Sequence, residues 1–274
     1  VRAHGCIDAA NDLGPNGHAC WAFDQEGEFV DAALEFFSDG LRLDQRLIYV
    51  SSEPVDEQRE RLDQLGDVGG MIDRGALQLV ELGTIYQPGD KIDVEGQVAL
   101  YEGAAAAARA DGFAGLRVAS QATDFLAEPE AWVDRLRWES AADRILEANG
   151  ISALCGYRRD ALPPSLLGDL AAVHPTANFD AEAFPFHLFG EGEGLVLSGE
   201  IDSFSSEALD RLLGLASRCG EPVRLDLGAL RFIDHRGLEV LAAHAGQPPG
   251  DGGYRLHNRP AMVGRLCDLL ELEL

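Results

Sequence analysis

Between residues 18 and 172, short apolar runs alternate with longer stretches whose apolar residues recur every three to four positions, and this alternation constrains the fold most. Strand–helix alternation of this kind builds a parallel sheet covered on both faces, because each connecting helix must bury its apolar stripe against the strands it joins. His18 to Phe23 is expected as the first strand, followed by a helix carrying Phe29, Ala33, Phe36 and Phe37 toward Gly40. A strand at 46–50, a polar helix at 55–65 and a strand near 77–82 come next. Val94, Val98, Tyr101, Ala105 and Ala108 then mark a helix. A strand at 116–119, a helix near 130–148 with Trp138, Ala141, Ala142 and Ile145 on one side, a strand at 151–157 and a short helix at 164–172 complete this part.

Prolines at 175 and 185 interrupt the periodicity, which places a linker near 176–185 and domains at 1–178 and 184–274. Each part has its own succession of amphipathic elements, so separate folding is expected. The second part reads strand, strand, helix, strand, helix, strand, helix. Its centre is a strand at 223–227 leading to a helix through Asp234, His235, Arg236 and Gly237, with Leu238, Leu241 and Ala242 as the helical stripe. Ser203 or Ser205 is expected to cap the helix that carries Leu209, Leu212 and Leu213.

Hydrophobic residues make up 46% of the 274, which favours folded cores over disorder. The net charge of −25 makes nucleic acid and anionic membrane poor partners. Residues 1–183 hold 33 acids and 14 bases and residues 184–274 hold 14 and 8, so the acidity is concentrated in the first part. Lys91 is the only lysine, and Cys6, Cys20, Cys155, Cys219 and Cys267 include no Cys-x-x-Cys pair, which fits reduced thiols better than a disulfide framework. With neither a membrane-length apolar run nor a secretory pattern, a cytoplasmic location is expected.

Several motifs fall in the right order for a known family: Gly17 to Phe23 (GHACWAF), Phe37 to Leu41 (FSDGL), Leu47 to Val50, Gly115 to Val118, Ala153 to Tyr157 (ALCGY), and His174 with Pro175. They resemble the MEDS domain, a sensory module of methanogen and methylotroph regulators, including a dichloromethane-responsive one. The resemblance implies a degenerate RecA-like parallel sheet with helices on both faces. It also aligns Glu53 with the place where related ATPases hold a general base. Nucleotide hydrolysis is nonetheless not expected: Asp24, Glu26 and Glu28 stand where a phosphate-binding loop would need backbone N–H groups and a lysine.

In the second part, Gly199, Glu200, Ile201 and Asp202, the order of elements, and the Asp234 to Gly237 junction resemble the STAS domain of anti-sigma-factor antagonists. That family carries a phosphorylatable serine where this chain has His235. The resemblance implies a small α/β domain that docks an anti-sigma factor or related switch kinase through Asp234, His235, Arg236 and Gly237, without phosphorylation at that position. Ser203, Ser205 and Ser206 are the nearby hydroxyls that remain.

Ligands of doubly wound sheets bind beyond the carboxyl ends of strands, which makes His18, Cys20, Trp21 and Glu53 candidates for a pocket. His4 with Cys6 and His18 with Cys20 repeat a His-x-Cys unit that could supply a Cys₂His₂ metal set, but the spacing is not a tight zinc signature and core packing is the simpler expectation. No Gly-x-Ser-x-Gly elbow accompanies the histidines. The expectation is therefore a non-enzymatic signalling regulator without a cofactor, binding a small molecule or protein partner and capable of forming a homo-oligomer. The alternatives are a divergent RecA-like nucleotide binder or ATPase and an oligomeric scaffold.

Overall fold

The computed structural model describes residues 3–85, 92–126, 128–179, 184–216, 222–245 and 253–272. In chain order the first part comprises β1 (Gly5–Cys6), β2 (His18–Phe23), α1 (Glu26–Arg42), β3 (Arg46–Ser51), α2 (Val55–Arg61), α3 (Val68–Asp73), β4 (Leu77–Glu81), α4 (Val94–Ala110), β5 (Leu116–Gln121), α5 (Glu130–Asn149), β6 (Ile151–Arg158), α6 (Pro164–Ala172) and β7 (Thr176–Ala177). The second part comprises β8 (Phe186–Glu191), β9 (Gly194–Ile201), α7 (Ser206–Ala216), β10 (Val223–Asp226), β11 (Leu230–Ile233), α8 (His235–Ala245), β12 (Tyr254–His257) and α9 (Ala261–Leu270). No helix among the described residues is long and apolar enough to cross a membrane.

The first seven strands form one parallel sheet in the order β1-β7-β2-β6-β5-β3-β4. Helices cover both faces, as the alternation predicts. On one face α1 buries Phe29, Ala33, Phe36 and Phe37 with Ala19, Leu47, Tyr49 and Leu154 of the sheet. Each buried phenylalanine contributes roughly 1.5–3 kcal/mol. Acidic Glu26 and Glu28 in the first turn and Arg42 in the last suit the helix dipole. On the other face α4 and α5 cover Val50, Leu116, Val118 and Ala153.

The remaining strands form a smaller mixed sheet, in which β9 pairs in parallel with β10 and β11 and antiparallel with β8, while β12 extends β10. Buried apolar residues from both parts of the chain, from Cys20 and Tyr157 to Leu225 and Val263, join one cluster. The shared surface is built largely by α5 and α6 against β8 and α7.

Several elements differ from the sequence expectations. Strands β1 and β7 were not anticipated: two residues carry no periodicity, and they form because β7 lends its edge to the N-terminal segment. The stretch before Asp234 is two strands, because Leu230 N–H returns to Leu227 O and Asp226 Oδ1 accepts the Gly228 N–H, folding a turn between them. Ser205 holds the position just before α7, its carbonyl accepting the Leu209 N–H and its hydroxyl bonded to Asp202, whose Oδ1 also accepts the N–H groups of Phe204 and Ser205. Ser205 and Ser206 are buried, with their hydroxyls bonded locally. Cys20, Cys155 and Cys267 are buried and Cys6 is exposed. Cys219, Lys91 and the middle of the expected linker, 180–183, lie outside the described residues.

Candidate functional site

Side chains alternate between the faces of a strand, so registered positions from neighbouring strands line up on one face. One row crosses the large sheet through Gln78, Ile48, Val118, Ala153 and His18, and the next through Val80, Val50, Ser120, Cys155 and Cys20. Between these rows and helices α4 and α5 lies a cavity of about 370 Å³. Its walls are mostly apolar: Ile48, Val50 and Val118 from the sheet, Leu100, Tyr101 and Ala104 from α4, and Trp138, Ala142 and Leu146 from α5. Toward β2 and β6 the lining turns polar, with His18, Arg135, Glu139 and Cys155.

There the side chains of His18, Glu139, Cys155 and His174 converge. One donor atom from each lies within 4.8 Å of all the others, and all four residues are buried. His18 Nε2 is 3.4 Å from Glu139 Oε2 and 3.5 Å from Cys155 Sγ, and His174 Nε2 is 3.6 Å from the same Glu139 oxygen. His18, His174 and Glu139 are each aimed by a partner behind them. His18 Nδ1 lies 3.2 Å from Asp143 Oδ1, and His174 Nδ1 donates to Leu170 O at 2.7 Å. Glu139 Oε1 accepts from Tyr157 Oη at 2.6 Å and pairs with Arg135 at 2.5 Å, which leaves Oε2 to face the centre.

Burial, with His18 beside it, pushes the pKa of His174 down to about 3, so its imidazole is neutral. Since Nδ1 must carry the proton that Leu170 O accepts, Nε2 presents a lone pair, and it has no hydrogen-bond partner among the described residues. Burial alone would lower His18, but its bonds to Asp143 and Cys155 carry it well above the usual histidine range. Glu139 is held well below the usual carboxylate range: burial opposes ionisation, and the Arg135 charge outweighs it with help from His18. Burial pushes the Cys155 thiol up, and the Glu139 charge adds to this.

Helix α5 ties this cluster to the second part of the chain. Arg135, Glu139, Asp143 and Glu147 recur every four residues and so form one stripe. Asp143, fully buried, faces His18 with Oδ1 and accepts the Gly190 N–H of β8 with Oδ2 at 2.8 Å. Glu147 accepts the Gly192 N–H in the following turn at 3.1 Å. Gly190 permits this approach, since a Cβ there would lie 2.3 Å from Arg144 Cγ.

Of the pocket residues expected from sequence, His18 is in the cluster and Cys20 is its buried neighbour, registered with Cys155. Trp21 points to the opposite face and packs with the α1 cluster, as strand alternation requires. Glu53 ion-pairs with Arg61 and is not among the cavity residues. The cavity lies over the sheet face and reaches past the carboxyl ends of β4 and β5, where Leu82, Thr84, Ile85 and Phe125 line it. Asp24 pairs with Arg159, and Glu26 accepts from Gln121. His4 stacks on Phe189, and neither His4, Cys6 nor Cys20 belongs to the four-residue group. Glu139, Cys155 and His174 were absent from the expected site.

At the Asp234 junction, β11 passes directly into α8, with Asp234 Oδ1 accepting the Gly237 N–H at 3.0 Å. His235 and Arg236 are exposed. Gly237 is buried, and its missing side chain serves internal packing: a Cβ would sit 2.5 Å from Ile201 Cγ2 and 2.8 Å from Ile233 Cγ1.

The family model for the MEDS domain (methanogen/methylotroph, DcmR sensory domain) matches residues 17–175, more than half of the chain, and the chain belongs to that family. All four clustered residues, the cavity and α5 fall within the matched region. No curated protein matches the chain.

Proposed function

We propose that the chain is a non-enzymatic signalling regulator in which the sensory domain takes up a small apolar molecule in the α4–α5 cavity and relays its occupancy through α5 to the second module. The observation that carries this reading is the double engagement of Asp143, one carboxylate oxygen facing His18 in the site and the other holding the β8 backbone at Gly190. A ligand that shifts α5 must strain or move that contact, which gives it a differential interaction with two arrangements of the modules. A mostly apolar cavity of this volume suits molecules the size of halomethanes or benzene.

In this reading the second module is a STAS-like docking domain for an anti-sigma factor or related switch kinase. The exposed pair His235 and Arg236 supplies its contact surface, and Phe204, 94% exposed before α7, adds an apolar anchor of the kind interfaces use. With no hydroxyl at position 235, the input is ligand binding instead of phosphorylation. The acidic junction at Asp24, Glu26 and Glu28 and the Glu53–Arg61 pair support the absence of nucleotide chemistry.

Thermal denaturation with dichloromethane, chloroform and benzene tests the sensory half. A ligand held by the native state raises the midpoint, and Ala104→Leu, which fills the cavity, removes that rise. An equal response in the variant, or none in the native chain, would sink it. For the docking half, His235→Asp should weaken capture of a switch kinase by adding an unpaired carboxylate to the interface; unaltered capture moves the contact elsewhere.

A further inference from the structure

We propose that His18, Glu139, Cys155 and His174 hold one divalent transition-metal ion, zinc by its donor set, at the polar end of the cavity. The separations fit: with metal–nitrogen and metal–oxygen bonds near 2.0 Å and a metal–sulfur bond near 2.3 Å, the edges of a tetrahedron are roughly 3.3–3.6 Å. The 3.4, 3.5 and 3.6 Å edges in the structure fall in that range, and the remaining pairs lie within 4.8 Å.

Three further observations point to the same ligand. The Nε2 lone pair of His174 is completely buried, aimed into the cluster and without a hydrogen-bond partner among the described residues, a cost that a metal bond removes. Both histidines present Nε2 to the centre while Nδ1 is fixed from behind, by a carboxylate at Asp143 and a carbonyl at Leu170, which is how outer groups orient metal-bound imidazoles. The Glu139 carboxylate and a Cys155 thiolate cancel the charge of a divalent ion, and Arg135 behind Glu139 balances Asp143 behind His18. A neutral centre is the form a dry interior tolerates.

Coordination exchanges the ion for the Cys155 thiol proton and the Nε2 proton of His18, both released to solvent. Mixed nitrogen, sulfur and oxygen donors select zinc or its neighbours over magnesium or calcium. Four protein donors close the tetrahedron, so the ion orders β2, β6, α5 and the end of α6 around the cavity and leaves no open position for water activation. The inference goes beyond the sensory reading and does not depend on it.

The test uses the full chain, stripped with a chelator and titrated with Co²⁺ and then Zn²⁺ without any apolar compound. The expected result is one equivalent of cobalt per chain, intense visible bands of a tetrahedral ion, a near-ultraviolet thiolate-to-cobalt charge-transfer band, and displacement of both by one equivalent of zinc. Cys155→Ser should lose the charge-transfer band, whereas Cys267→Ala should keep it. His174→Gln should weaken cobalt binding at least about 100-fold, with circular dichroism confirming that each variant is folded. Should a variant unfold, the native spectrum alone decides: weak octahedral bands without thiolate charge transfer would overturn the proposal, as would a charge-transfer band that survives in folded Cys155→Ser. Failure here would leave the halomethane and benzene responses untouched, and failure of those responses would leave the cobalt spectrum untouched.

Discussion

Asp143→Asn replaces a carboxylate by a neutral group of the same shape at a position where the cavity cluster meets the second module. The native side chain faces His18 Nδ1 at 3.2 Å and accepts from Gly190 N at 2.8 Å while fully buried. Asparagine keeps one acceptor oxygen, so either bond can persist, but its NH₂ must then face the other N–H. The loss is one charge-assisted hydrogen bond, about 1.5–3 kcal/mol, with a buried donor left unpaired at a comparable cost that partly overlaps the first. A net destabilisation of about 2–4 kcal/mol follows, or roughly 4–7 °C in melting temperature for a chain of this length. Urea unfolding by circular dichroism measures the first quantity. Hydrogen exchange at Gly190 separates the alternatives, because its amide loses protection if the surviving oxygen stays with His18. A loss under about 1 kcal/mol with Gly190 protection unaltered would show that Asp143 does not join the two modules.

Other consequences follow from the packing. His187, in β8, is buried with Nδ1 near His174 O at 2.9 Å, and burial lowers its pKa below the ordinary 6.5. Its unfolded form therefore binds more protons at mildly acid pH, so its contribution to stability is fully present above pH 6.5 and is lost as pH falls toward the depressed folded value. His187→Asn should flatten that part of the pH–stability curve measured by urea unfolding; an identical acid limb would refute it. Gly237→Ala places a methyl group against Ile201 and Ile233 and should cost about 1–3 kcal/mol by the same assay, whereas His235→Ala, at the exposed neighbouring position, should stay within about 0.5 kcal/mol. Equal effects from both would contradict the inward placement of Gly237.

The large sheet was legible because its strands and helices carry strong local periodicity: β2, α1, β3, α4, β5, α5 and β6 fall where the apolar spacing puts them. The site was much less so. His18 stood out beside Cys20, but its partners arrive from positions 139, 155 and 174, and only the adjacency of β2 and β6, with α5 and the end of α6 over them, brings these together. Cys155 in an apolar strand reads as a small buried hydrophobe, and His174 before a proline reads as a boundary marker. Arg135, Glu139 and Asp143 on a helix rich in charge read as a solvated face. Their four-residue spacing was the available signal, since it sets a polar stripe on the helix that also buries Trp138 and Ala142. Trp21 was misplaced by neglecting strand alternation: it cannot share a sheet face with His18 and Cys20.

The claim that cavity and second module are coupled through α5 is tested most directly by site-resolved hydrogen exchange of the full chain with and without saturating benzene or dichloromethane. Altered exchange is expected both in α4 and α5 around the cavity and at Gly190 and Gly192 of the β8–β9 hairpin, with the Gly190 change abolished in Asp143→Asn while the cavity change remains and Gly192 stays held by Glu147. A response confined to the cavity in the native chain, or a Gly190 response that persists unchanged in Asp143→Asn, would contradict that coupling.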